Sequence, residues 1–428
     1  MPVLISLVAE PLVGLVDTFF VARLGAPSLA ALGIAATLLS SLFWVFNFLG
    51  IGTQTEVARN AGAGRLSLAR DHAGLAMAMG LAIGVVVALV GAPFAAELMG
   101  AMGAGETSLA PGVEYLRIRL LGGPAVLVTL AAFGALRGLQ DMRTPLFIAL
   151  AVNGLNALLD PLLIFGAGPV PALGLAGAGW ASTGAQWLGA AAAVAAVVRR
   201  LGAPRDLDTR SARDLLVVGR DLFFRTGALM VFLTAATAAA NYVGTEAGAA
   251  HQAVRQLWTF TAFLLDAYAT AAQSLVGYFH GAGRRAMTRR VAAVTCLWSL
   301  GTGALLAAAM ALATPAVTAA FVPETARAVF PIAWWIAVAS QPINALSFAT
   351  DGLHWGTGDY RFLRNGMGAA TLLGGAGLLL FVTLGGAGLG GVWLATTLWI
   401  AVRAVLGVLR VWPGIGRSPY APTGANRA

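Results

Sequence analysis

Apolar residues fall in long runs along this chain, and short polar connections divide the runs. About twelve of them reach the roughly 20 residues that a helix needs to cross a bilayer. Their centres lie near Gly14, Ser41, Ala82, Val128, Leu155, Trp187, Leu229, Leu265, Ala304, Ala339, Leu373 and Leu398. The pattern predicts an all-α membrane protein with twelve transmembrane helices. Several runs are longer than a bilayer requires, which implies tilt or projection into water. Glycine accounts for 54 residues, and small residues let transmembrane helices approach closely.

The connections alternate in charge. Arg59, Arg65 and Arg70 follow the second run, Arg137 and Arg143 the fourth, and Arg199, Arg200, Arg205, Arg210 and Arg213 the sixth. Arg284, Arg285, Arg289 and Arg290 follow the eighth, Arg361 and Arg364 the tenth, and Arg410 and Arg417 the last. The other connections are nearly free of arginine and hold Glu97, Glu106, Glu246 and Glu324. By the positive-inside rule both termini and the even-numbered loops are cytoplasmic.

Composition agrees. The 428 residues are 58% hydrophobic and 11% charged, with mean hydropathy +0.80; soluble domains carry about 25% charged residues. The net charge of +9 is carried by arginine alone. Its place in short loops orients a membrane protein and does not mark a nucleic-acid binder. Cys296 is the single cysteine and excludes an intrachain disulfide. No cleavable signal peptide is evident. The chain starts abruptly in an apolar run with Pro2 in its first turn, which points to a start further upstream.

The chain also repeats itself. LGAPSLAALGIA from Leu24 aligns with VGTEAGAAHQAV from Val243, and the same register carries Gln54 onto Gln273 and Val57 onto Val276. One residue of slippage later, FGALRGLQDMR from Phe133 aligns with DGLHWGTGDYR from Asp351. Gly134, Gly138, Asp141 and Arg143 then coincide with Gly352, Gly356, Asp359 and Arg361. The expected architecture is two six-helix bundles related by a pseudo-two-fold axis along the membrane normal. The bundles are expected at 1–200 and 213–412, with a cytoplasmic linker at 201–212 and a cytoplasmic tail at 413–428.

Within this frame the carboxylates stand out. Asp17 lies in the apolar run of the first span, where an ionised acid costs on the order of 2.5–3.5 kcal/mol. Glu10 is two turns earlier on the same face, and Pro11 between them should bend the helix. In the fifth span Asn153, Asn156 and Asp160 share one face, and Pro161 breaks the hydrogen-bond ladder after them. Asp17 and Asp160 both lie about six residues before their outer helix ends, which at about 1.5 Å per residue gives them one depth. Two carboxylates in a low-dielectric cavity cannot both ionise without cost, as a proton carrier requires. Asn beside Asp equally suits Na⁺. Ser182, Thr183 and Gln186 of the sixth span are candidates to complete the site. In the repeat register Asp17 falls on Ala236 and Asp160 on Leu378, so the acid pair belongs to one half.

The second half holds Arg225 in the seventh span and Asp266 in the eighth, either an internal ion pair or part of a second cavity. Asp351 reads as a helix-end residue. Asp141 with Arg143, and Asp359 with Arg361, read as turn and cap residues that fix cytoplasmic loops. No HExxH, GxSxG, Walker loop or cysteine cluster occurs. His72, His251, His280 and His354 show no metal spacing. A metal centre and an enzyme are both disfavoured.

The segments AEPLVGLVDTFFVARLG, NFLGIGTQ, GLQDMRTPL, NALLDPLLIFG, FRTG, GTEAGAAHQ, FLLDAYATAAQSLVG and GTGDYRFLR together resemble the MATE family, multidrug and toxic compound extrusion, in its DinF-like branch. The resemblance covers nearly the whole chain. It implies alternating access and export of cationic or amphipathic organic compounds in exchange for H⁺ or Na⁺, without a cofactor. The family's first-helix aspartate and fifth-helix Asn/Asp face map onto Asp17, Asn153, Asn156 and Asp160. Its eighth-helix LDGFA segment maps onto Leu265–Ala269, with Asp266 kept and Ala267 in place of glycine. Arg255 departs from a usually apolar stretch. The expected protein is a proton-driven antiporter of small molecules, a monomer in a bacterial inner membrane, with no nucleic-acid partner. A lipid-linked oligosaccharide flippase of the same superfamily is the alternative, and a passive channel a third.

Overall fold

A computed structural model describes residue 14, residues 16–206 and residues 209–421, without the side chains of residues 209–211. Glu10, Pro11 and residues 422–428 lie outside the described residues. The chain divides into two compact units, Met1–Gly219 and Arg220–Ala428.

In the first unit, helical residues 16–21 lead into a 3₁₀ turn, Ala22–Leu24. There follow α1 (Ala26–Val45), α2 (Phe48–Gly62), α3 (Leu66–Gly91), α4 (Glu106–Leu121), α5 (Gly123–Gly138), α6 (Arg143–Phe165) and α7 (Leu175–Leu201). A further long helix, α8 (Thr209–Val243), leads into α9 (Thr245–Gly281), α10 (Arg285–Leu312), α11 (Phe330–Thr357), α12 (Tyr360–Leu378) and α13 (Gly388–Val411) of the second unit. A π-helical segment, Leu379–Leu384, extends α12.

Eight spans among the described residues are long and apolar enough to cross a membrane, with α1 and α2 together forming one. A ninth is the pair α4 and α5, bent by 42° at Gly122. The long helices α9 and α11 fall outside that count. They carry His251, Gln273, Gln341, Asn344 and Asp351 as buried polar residues, which lowers their hydropathy. Large apolar side chains on the helix surfaces, such as Leu89, Leu158 and Leu372, stand more than two-thirds exposed. Water would penalise such faces; lipid does not.

The internal repeat reappears in the packing. α1 with α2 runs Ala26–Gly62, and α9, its copy, runs Thr245–Gly281. Gly134 faces the Gly50 backbone, and Gly352 faces that of Ala269. Gly138 meets the Gln54 carbonyl and Val57, and Gly356 meets the Gln273 carbonyl and Val276. Gly84 lies on Pro124 and Gly303 on Pro342. A methyl group at any of these glycines would overlap a neighbouring helix, so the helices approach only because glycine is there.

The copies also differ. α4 and α5 break at Gly122, whereas α11 runs unbroken through Pro342. α6 stays α-helical through Pro161, whereas the matching stretch after Leu378 widens into a π-helix. The cores differ in bulk too. The second unit buries Trp334, Trp393, Trp399, Phe232 and Phe330 together, with Phe232 stacked on Trp399 at 4.9 Å. The first relies on smaller residues around Met99, Tyr115 and Leu116.

The chain beyond α13 folds back on the second unit. Tyr420 is buried against Cys296, Leu353 and Val411, and its hydroxyl donates to the Leu353 carbonyl at 2.8 Å.

Candidate functional site

α6 places Asn156 and Asp160 one turn apart, facing the first helix and α7. Asp17, Asn156 and Asp160 are all buried, Asp160 completely. The Asn156 amide donates to Asp17 Oδ1 at 2.7 Å and to Asp160 Oδ2 at 3.1 Å. An amide nitrogen has two hydrogens, so Asn156 gives one to each acid. Ser182 of α7 donates to Asp17 Oδ2 at 3.4 Å. Among the described residues Asp160 Oδ1 is buried with no hydrogen-bond partner. It is an unfilled acceptor beside a second acid, and a proton or a cation would fill it.

α4 supplies the positive charge of the site. Arg119 lies within electrostatic range of Asp160 and donates to Gln186 Oε1 of α7 at 2.9 Å. Tyr115, one turn before Arg119, is buried near both acids. One arginine beside two carboxylates compensates one negative charge. The second carboxylate must then take a proton, take a cation or stay uncompensated. Arg119 was not among the sequence candidates. Its signal was an arginine inside the apolar run YLRIRLL, at the spacing that stacks it on Tyr115.

The other candidates separate. Asn153 lies a turn before Asn156, half-buried. Thr183 is buried but donates to the Ile118 carbonyl at 3.1 Å, fastening α7 to α4. In the second unit the ion-pair partner of Arg225 is Asp351, which also binds Arg403 Nη2 at 2.7 Å. This corrects the reading of Asp351 as a helix-end residue: it lies buried within α11 and joins α8 to α13. Asp266 is half-buried in α9.

The loop aspartates are anchors. Asp141 accepts from the Thr144 N–H at 3.0 Å, the Thr144 hydroxyl at 2.7 Å and Arg200 at 2.9 Å. Burial penalises its charge, yet these donors outweigh that and hold the carboxyl below its usual range. Its copy Asp359 is held instead by Arg410 at 2.7 Å. In each unit the loop aspartate is thus tied to the end of the last helix.

A family model described as MatE matches residues 2–162 and 224–375. The chain belongs to the MatE family. It is 31% identical over 444 residues to Protein DETOXIFICATION 44, chloroplastic, of Arabidopsis thaliana, covering 99% of this chain and 84% of that one. It is 27% identical to DNA damage-inducible protein F of Escherichia coli, covering 96% and 90%. These relatives agree with the DinF-like branch. The solved Vibrio cholerae MATE transporter VcmN in its bent form superposes with a TM-score of 0.88 at 22% identity, covering 98% and 96%. That likeness shows the fold, twelve transmembrane helices in two bundles. This MatE protein is therefore a multi-pass membrane transporter of small molecules from a multidrug efflux family. Members of the family are transporters, not enzymes.

Proposed function

We propose that the chain is a secondary antiporter that exports drug-like cationic or amphipathic organic compounds in exchange for protons. The observation that carries this is the buried pair Asp17 and Asp160, joined by Asn156 and faced, among the described residues, by Arg119. With one acid ionised, the pair and Arg119 are neutral together. With both ionised, the pocket holds an uncompensated charge that favours uptake of a proton or binding of a cationic substrate. The two are then alternatives for one place, which is the requirement for exchange. Protonation from outside releases substrate, and deprotonation on the inward-facing side resets the site.

The units act as the two rocking bodies of alternating access, in a bacterial inner membrane with both termini in the cytoplasm. Two findings favour this over a passive channel: the duplicated packing, and the acid pair confined to one copy. The test is efflux of the dye ethidium in everted vesicles under an imposed ΔpH or an imposed ΔpNa. Acceleration by ΔpH alone supports the proposal. Acceleration by ΔpNa alone would make Na⁺ the ion at Asp160 Oδ1. Dye movement indifferent to both gradients would overturn antiport.

A further inference from the structure

We propose that a groove on the surface of the first unit binds a zwitterionic phospholipid with a primary-amine headgroup, of the phosphoethanolamine class. A cavity of about 660 Å³ opens between α4, α7 and the short helix Ala95–Ala101, and Glu106, Glu114, Arg117 and Trp180 line it among apolar residues. It lies on the side of α4 turned away from Tyr115 and Arg119, which serve the acid pair. Glu106, Glu114 and Arg117 are exposed in the folded chain, and Trp180 is 46% exposed.

The surroundings set this groove at the edge of the lipid. Along α7 the exposed positions continue from Trp180 to Trp187 and Leu188, and Leu121 of α4 is exposed beside them. Lipid tolerates such faces. Arg117 Nε donates to the Ala92 carbonyl at 3.0 Å, one residue past the end of α3. α3 has 26 residues, about 39 Å at 1.5 Å per residue, so its end reaches the headgroup region. The Arg117 guanidinium lies at that level, and tryptophan is enriched there.

The charges run in the order of a lipid. From the start of α4 the sequence is Glu106, Glu114, Arg117 and then the apolar surface of Leu121, Trp187 and Leu188. Among the described residues neither glutamate has a hydrogen-bond or ion-pair partner, and Arg117 holds Ala92 through Nε alone. The Nη groups are left for a phosphate, which arginine grips with parallel N–H bonds. Glu114 is one turn nearer the helix start, within reach of an ammonium two carbons from that phosphate. Glu106 adds negative charge at the mouth, and the apolar surface beyond Arg117 takes the acyl chains. Other ligands fit less well. An anionic lipid would meet two carboxylates, and an organic cation would lie beside Arg117. A choline headgroup has no N–H to donate to Glu114.

Native mass spectrometry of the delipidated full chain in detergent tests this, with dioleoyl phosphatidylethanolamine, phosphatidylcholine and phosphatidylglycerol added singly. Wild type should bind the ethanolamine lipid saturably and more tightly than the other two. Glu114→Gln should weaken the ethanolamine lipid about tenfold, the effect of losing one charged hydrogen bond, and leave the choline lipid unchanged. Arg117→Gln should weaken all three. Both side chains are exposed, so both variants should fold and melt near wild type. Equal affinity of wild type for the three lipids overturns the proposal, as does a preference that survives in Glu114→Gln. Displacement of the lipid by ethidium, with the same dependence on Glu114, would make the groove an organic-cation site and overturn the lipid assignment.

Discussion

Asn156 donates to Asp17 at 2.7 Å across 139 positions of sequence. One amide thus ties the first helix to α6 while its other hydrogen holds Asp160. Asn156→Ala removes both bonds and leaves two acids with no donor between them. Proton-driven ethidium efflux should fall to background, and so should that of Asp160→Asn, with both proteins still inserted. Leu378→Val, at the repeat position of Asp160, should keep most of the activity. If Leu378→Val loses as much transport as Asp160→Asn, the one-sided site is wrong.

Asp17→Asn keeps the shape of the side chain and fixes it neutral. Wild type solubilised in detergent should release protons when ethidium binds. Asp17→Asn should release fewer and keep part of its ethidium binding, measured by fluorescence. Equal release by the two proteins would exclude Asp17 as the coupling acid.

Gly138 and Gly356 each press on a carbonyl of a neighbouring helix. Alanine at either position overpacks the contact, at a cost of about 1–3 kcal/mol. Gly138→Ala and Gly356→Ala should both lower the melting temperature in a fluorescence-monitored scan. Gly184, which has nothing within 4 Å of an added methyl, is the control, and Gly184→Ala should melt at or above wild type.

Asp141 holds its charge through Thr144 and Arg200. Its carboxyl in the folded chain sits below the ordinary value, so its contribution is present above that ordinary value and is lost as pH falls through the lowered one. Asp141→Ala should cost about 0.5–2 kcal/mol, the range for a lost helix-start acceptor. The difference in melting temperature between wild type and Asp141→Ala should be full at pH 7 and shrink on acidification below pH 4. A difference that persists unchanged into acid would mean that the charge contributes nothing.

The fold was legible because lipid imposes one rule on every span: about 20 apolar residues, then a charge. The acid pair was legible for the opposite reason. Asp17 and Asp160 break that rule, and helical spacing puts Asn156 beside Asp160. Arg119 breaks the rule as well, but nothing in the spacing along its own helix relates it to acids carried on two others. The Asp351 cluster was beyond reach. Its bonds join residues 126 and 52 positions apart on three helices, and no periodicity along one helix encodes such a meeting. The spacing rules for one helix placed Arg225 and Asp266 in neighbouring spans, and the choice of partner lay in the packing.

The glycine seats shared by the two units bear on how the halves diverged. Gly134 and Gly352 rest on main chain, as Gly138 and Gly356 do in part, and main chain is the same whatever side chain it carries. A contact of that kind survives substitution all around it. After duplication each copy could therefore exchange its interior residues without losing the framework. One now holds two acids and an arginine; the other holds two arginines and an acid. Different charged clusters arose on one inherited skeleton because what holds the skeleton together does not read charge.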